Sequence, residues 1–173
     1  QLDDCDVLIG IKEVPKEHLL ANKTYVFFSH TIKKQPYNRA LLQTILAKKI
    51  RLIDYEVIRD KHRNRLIGFG RYAGIVGAYN AFLTYGLKHQ QYQLKPAHQC
   101  VNRSEVEHEL KKVTLPTNLR CLVTGFGRVG HGAKEIIDCL PITEVSPEEF
   151  LTGNFNEPIF CQLEAGDYFE HPE

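Results

Sequence analysis

Methionine is absent from all 173 positions, the first included. Without an initiator, the chain is expected to be an internal stretch of a longer protein. No apolar run reaches the roughly 20 residues that a membrane span requires, and the N-terminus lacks the basic-then-apolar layout of a signal peptide. Neither sign of charge is in excess, because 22 lysines and arginines face 21 aspartates and glutamates. Nucleic acid and membrane surfaces are therefore not expected as partners on electrostatic grounds, and a small metabolite is the default ligand. The five cysteines are odd in number and form no C-x-x-C pair. Neither a disulfide framework nor a zinc or other metal site is indicated, and reduced thiols in a cytoplasmic protein fit best. Internal repeats and low-complexity tracts are also missing. What remains has the length of one ordinary domain or two small lobes with a real core.

The order of elements points to an α/β layer fold. Residues 5–11 (CDVLIGI) and 24–29 (TYVFFS) are short apolar runs of strand length. After Pro36 the period changes to 3.6, with Tyr37, Ala40, Leu41, Ile45 and Leu46 on one face, which predicts an amphipathic helix over 37–49. A strand at 50–58 (IRLIDYEVI) and another at 65–70 (RLIGFG) follow. Residues 71–88 are small and apolar on nearly every side, with Gly86 as the expected C-terminal cap. Such a helix packs between lobes or against a neighbouring subunit, as in a homo-oligomer. Residues 1–88 thus read as part of a first lobe and 89–118 as a crossing segment containing a helix from 103 to 113, capped by Asn102 and Glu105. Residues 119–173 open a second lobe: strand 119–124, a glycine turn, a helix to about Leu140, a strand at 142–145, and an acidic tail holding one more strand in EPIFCQL.

Two stretches carry chemistry. Gly125, Gly127 and Gly130 make G-x-G-x-x-G between a strand and a helix, the context in which glycines permit a tight turn, close approach of a pyrophosphate, and helix-strand packing. Arg128 and Val129 lie between the last two of these glycines. The acidic residue expected about 20 positions on, for the ribose hydroxyls, is missing. Val145 and Ser146 stand there, with Glu148 and Glu149 slightly late, so the choice between NAD and NADP stays open. His131 flanks the turn.

The second stretch is the pair of strand ends that carry Lys12 and His30. Open α/β sheets bind ligands beyond the carboxyl ends of their strands, and both side chains suit proton transfer. Solvated loop residues are the plain alternative. Glu56 is an ordinary strand-edge carboxylate or one that tunes a cationic pair, and Arg71 is a surface arginine or a carboxylate fork. His18, His62, His89, His108 and His171 read as surface residues.

GIKEVP, FFSHTIKKQ, IRLIDYE, RLIGFGRYAG and VTGFGRVGHGA, in this order, closely resemble the saccharopine dehydrogenase group, and most of all the lysine-ketoglutarate reductase portion of bifunctional enzymes. Alanine dehydrogenase is a more distant relative. The resemblance implies two Rossmann-like lobes, with NAD or NADP on the second and an amino acid with a 2-oxo acid in the cleft. It makes Lys12 and His30 the acid-base pair, Glu13 and Glu56 the glutamates that adjust it, and Lys33 and Arg71 substrate-binding residues. Gly125, Gly127, Arg128, Val129 and Gly130 would hold the cofactor. The family carries an additional N-terminal stretch with a substrate-binding arginine and continues beyond the point corresponding to residue 173. The first lobe is thus expected to lack its first part, and the cofactor lobe to be represented by one βαβ unit. Two rivals remain at this point: an alanine dehydrogenase-like oxidation of a simple amino acid, and a non-catalytic dinucleotide-binding module.

Overall fold

In the computed structural model, residues 2–170 are described and the chain divides into two compact units between Gly68 and Phe69. His171, read as a surface residue, and the end of the acidic tail lie outside the described residues.

The first unit is a parallel sheet of β1 (Val7–Lys12), β2 (Thr24–Phe28) and β3 (Arg51–Asp54), in that spatial order. The crossover from β2 to β3 passes through a 3-10 turn at Pro36–Asn38 into α1 (Arg39–Ala47). Alternation along the strands sends Tyr25 and Phe27 to one face, where they meet Leu19 and the Leu41 and Ile45 of α1. Burial of each such side chain contributes about 1.5–3 kcal/mol. The buried stripe of α1 is narrower than its sequence period suggests, since Tyr37 and Leu46 remain about 70% exposed (72% and 69%). The opposite face of the sheet leaves Ile9 and Ile53 exposed.

The stretch 65–70, expected as a strand, is a hairpin arm followed by the start of a helix. Its one ladder contact is an antiparallel bridge between Arg59 and Arg65. The turn between them is closed by Asp60, whose carboxylate accepts from the N–H groups of His62 and Asn64. β3 is likewise shorter than its apolar run, because the chain turns into a 3-10 helix at Tyr55–Val57.

The second unit holds α2 (Gly70–His89), α3 (Arg103–Leu110), β4 (Arg120–Thr124), α4 (Arg128–Ile137), β5 (Thr143–Glu144), α5 (Pro147–Thr152) and β6 (Ile159–Leu163). Asn102 caps α3 as its sequence indicates, its side chain accepting from the Glu105 N–H at 3.0 Å. The sheet is parallel in the order β4-β6-β5. β6 is thus central, and four of its five residues are buried. The helix α5 has a full capping box, Ser146 with Glu149, and Pro147 in its first turn.

The helix α2 packs inside this second unit rather than ending the first. Nor is it buried on every side: Ile75, Tyr79 and Phe82 face the core, while Tyr72 and Leu87 are more than half exposed. Gly86 is not its cap. The Tyr92 ring lies 2.5 Å from where a Gly86 Cβ would stand, and α2 ends instead at Gln90 in the left-handed region, φ 53°.

The contact between α2 and α4 is close enough to require glycine. A Cβ on Gly74 would stand 2.0 Å from the Val129 carbonyl oxygen, and one on Gly132 the same distance from that of Arg71. At Gly77, in the same helix, nothing lies within 4 Å. Gly74→Ala should therefore destabilise the chain by about 1–3 kcal/mol, whereas Gly77→Ala should stabilise it by about 0.5–1 kcal/mol. Urea unfolding of the two variants should move the midpoint in opposite directions.

Candidate active site

The site in the first unit begins with a fault in a strand. Ile9 pairs with Val26 but Lys12 with Phe28, so three steps along β1 match two along β2. In a regular register Ile11 would stand beside Phe28. The extra residue turns Lys12 onto that face instead, which is how a bulge re-aims a side chain. Its Nζ lies 5.6 Å from the centre of the Phe28 ring and 3.3 Å from His30 Nε2.

His30 follows β2 at φ 58°, a left-handed conformation that a residue with a Cβ adopts at a cost of roughly 1–2 kcal/mol. Its ring stacks on Phe28, 6.4 Å between centres. Its Nδ1 lies 3.0 Å from Glu56 Oε2 and 3.1 Å from Lys33 Nζ. Glu56, in the 3-10 turn after β3, has a side chain only 1% exposed. Its other oxygen is 3.4 Å from both Lys33 Nζ and Arg65 Nη2.

These contacts restrict where the protons are. An ionised carboxylate only accepts and an ammonium only donates, so Nδ1 cannot both donate to Glu56 and accept from Lys33. The buried carboxylate has the stronger claim on a donor, which puts the proton on Nδ1 and leaves Lys33 to Glu56 Oε1. In neutral His30 the lone pair of Nε2 then faces Lys12. Lys12, His30, Lys33 and Glu56 thus form one hydrogen-bonded cluster.

The sequence named Lys12, His30, Lys33 and Glu56 from separate motifs, and the structure brings the four together. Arg65 joins them without having been singled out; its motif was read as strand. Glu13 is exposed on the loop after β1 and takes no part in the contacts described above.

In the second unit, Gly125 turns the chain after β4 at φ +86°, a region glycine enters freely. A Cβ on Gly130 would stand 2.0 Å from the Gly125 carbonyl oxygen, whereas the space beside Gly127 is open for 4 Å. Gly127 is the N-cap of α4, and the first-turn N–H groups of a helix have no intrahelical acceptor. Arg128 and Val129 make up that turn and are exposed. A backbone cradle with room for an anion at a helix N-terminus suits a dinucleotide pyrophosphate.

Glu148 and Glu149, read as standing slightly late for the ribose, both lie in the first turn of α5. Glu149 caps α5, and Glu144 at the end of β5 pairs with Lys134 at 3.0 Å. The strand that lies beside β4 is β6, and the acidic residue that follows it is Glu164. Sequence spacing misses this because it assumes that consecutive strands are neighbours.

Arg71 forms the carboxylate fork that its sequence allowed, but with Glu135 of the same unit: Nε to Oε1 is 2.6 Å and Nη2 to Oε2 is 2.8 Å. Arg103 adds a third bond to Glu135 at 2.9 Å. His18, His62, His89 and His108 are exposed, as is His131 on α4.

One parallel α/β unit thus clusters a lysine, a histidine and a glutamate at its strand ends, and the other opens a helix with a glycine turn. Residues 1–76 match the family described as alanine dehydrogenase/PNT, N-terminal domain. It is 36% identical over 160 residues to the mitochondrial alpha-aminoadipic semialdehyde synthase of Rattus norvegicus, covering 83% of this chain and 17% of that protein. The Arabidopsis thaliana synthase is 36% identical over 167 residues, covering 86% of this chain and 16% of the synthase. Saccharopine dehydrogenase (NAD(+), L-lysine-forming) of Yarrowia lipolytica is 27% identical over 163 residues, 87% of this chain and 43% of that enzyme. In fold, the chain is similar to a solved L-alanine dehydrogenase, with a TM-score of 0.53 at 12% identity over 91% of this chain and 42% of that one. The chain thus spans about a sixth of the length of the synthases it matches. The family, and the parallel α/β fold that goes with it, are those the motifs resemble.

The bonds from Arg71 and then Arg103 hold the Glu135 carboxyl down at about 2, against an ordinary value of 4.5. Because the folded value is the lower one, these bonds contribute stability above about pH 4.5 that is lost as pH falls toward 2. Glu135→Gln should flatten the fall of melting temperature across that window relative to wild type, and equal slopes would assign the acid sensitivity to other carboxylates.

Proposed function

We propose that the chain carries the acid-base and cofactor-docking parts of an NAD(P)-dependent oxidoreductase of the saccharopine dehydrogenase type. The reaction joins the amine of lysine to 2-oxoglutarate with reduction, or runs in reverse. The observation that carries this reading is the relay of Lys12, His30 and Glu56, set on strand ends in a chain 27% identical to an enzyme named saccharopine dehydrogenase (NAD(+), L-lysine-forming). In this reading the first unit does the proton transfers and the second docks the dinucleotide.

Condensation of an amine with a ketone needs a proton removed from the attacking nitrogen and one supplied to the departing hydroxyl. Lys12 and His30, 3.3 Å apart, can each hold one of these protons, so one takes the proton from the amine while the other releases the hydroxyl as water. Glu56 keeps the His30 ring oriented throughout and balances the charge when the ring is protonated. Lys33 and Arg65, each nearly half exposed beside Glu56 (45% and 43%), present cations to a substrate carboxylate. The nicotinamide cofactor supplies the hydride. Gly125, Gly127, Gly130 and the first turn of α4 with Arg128 and Val129 would hold its pyrophosphate. An aqueous, reducing compartment suits the chain; the cytoplasm is our assignment, while the name of the rat relative places that protein in mitochondria.

The test is turnover by the full-length protein, followed by nicotinamide absorbance with NADH or NADPH. One set of wells holds 2-oxoglutarate with lysine, the other pyruvate with ammonium. Lysine-dependent oxidation supports the proposal, turnover of pyruvate with ammonium would replace it by an alanine dehydrogenase-like reaction, and dinucleotide binding with no turnover by a non-catalytic module. Lys12→Ala or His30→Ala should lower turnover by about two to four orders of magnitude with the fold intact, and normal rates in either would remove the catalytic role. Gly127→Val should fold normally, since its side chain meets open space, yet lose dinucleotide binding by calorimetry; unchanged affinity would refute the cradle.

A further inference from the structure

Two buried polar side chains lie beneath the relay without belonging to it. Ser29 is 0% exposed and Asp54 is 7% exposed. Asp54 Oδ1 accepts from the Glu56 N–H at 2.9 Å and from the Ser29 N–H at 3.4 Å, and its Oδ2 accepts from Ser29 Oγ at 2.5 Å. One carboxylate therefore anchors the segment that carries His30 and the segment that carries Glu56.

The direction of each bond follows from valence. The Ser29 hydroxyl has one proton, and only donation satisfies a carboxylate. Its oxygen is then an acceptor for the Thr31 N–H at 3.1 Å, and the Thr31 hydroxyl at 2.7 Å must donate as well. Both neighbours of His30 are thereby tied to Asp54, and a further tie runs from Asn38 Nδ2 to the His30 carbonyl at 3.3 Å. These bonds offset the left-handed φ of 58°, which a histidine in an untied loop would leave for an extended conformation. In that conformation the ring would no longer reach Glu56 on one side and Lys12 on the other.

We propose that Asp54, acting through Ser29, is the positioning residue of the relay: it holds His30 in the left-handed conformation that aims Nδ1 at Glu56 and Nε2 at Lys12. The mechanistic consequence rests on the reaction proposed above, but the geometric claim does not. Asp54→Asn keeps the size of the side chain but turns one acceptor into a donor, so the Ser29 hydroxyl has to reverse its direction. Ser29→Ala removes the bridge while leaving Asp54 on the Glu56 N–H.

The experiment is nitrogen NMR of the His30 ring in the 173-residue chain, with the resonances assigned by His30→Gln and the fold of each variant checked by its amide spectrum. Wild type should show one tautomer, with the proton on Nδ1. Ser29→Ala and Asp54→Asn should each show a mixture of tautomers. In the full-length protein, kcat should fall on the order of 10²-fold in either variant while KM for the dinucleotide stays unchanged. A wild-type tautomer in either folded variant overturns the positioning role, even if turnover falls. A changed tautomer in a protein that turns over neither substrate pair leaves the positioning role standing and removes the reaction assigned to it.

Discussion

The first unit is organised around one buried carboxylate. An ionised glutamate that is 1% exposed has to be met by hydrogen-bond donors, and to leave such a charge unpaired costs roughly 3–5 kcal/mol. His30, Lys33 and Arg65 supply those donors to Glu56, the first two from one 3-10 turn and the third from the hairpin arm after β3. The bulge in β1 and the left-handed histidine make sense as consequences, because each brings a polar group to a place that regular strand geometry would not. The demand of Glu56 for a donor also places the proton of a neutral His30 ring on Nδ1.

Much of this arrangement is visible in the sequence. Lys12 and His30 each follow an apolar run of strand length, so their placement at strand ends requires only period-two alternation. Glu56 is visible as a strand-edge carboxylate in a third apolar run, although β3 itself ends at Asp54. The bulge is less legible, although Gly10 inside an apolar strand is the local sign that one is present. Nothing in FFSH announces that His30 departs from extended backbone, since that departure depends on Asp54, 24 residues further on. The helix α5 was legible in principle: Ser146, Pro147 and Glu149 spell a capping box, yet the acidic composition of the tail hides it.

The misread elements share a cause. RLIGFG has the composition of a strand but pairs only briefly, through the Arg59–Arg65 bridge, before the chain turns into α2 at Gly70. The α2 helix looks apolar all round because Gly74, Gly77 and Gly86 count toward neither face in a simple pattern, whereas Gly74 and Gly86 stand where a backbone or a ring comes too close for a Cβ. Arg71 shows the same limit of local reading. Its partner Glu135 lies 64 positions away, so the sequence could offer a fork but not name the carboxylate.

The central place of β6 bears on how the second unit is assembled. The glycine turn is braced from that strand, by a bond from the Gly125 N–H to the Leu163 carbonyl at 2.7 Å and one from Gln162 Nε2 to the Gly125 carbonyl at 2.8 Å. Neither brace exists until residues 159–163 have been made and docked, although the turn itself and α4 come earlier in the chain. Pairing between strands so far apart in sequence is slow because loop closure comes before any contact is gained. On a ribosome, a nascent chain that has passed the glycines can already pack α4 on α2, yet its glycine turn stays unbraced until β6 follows.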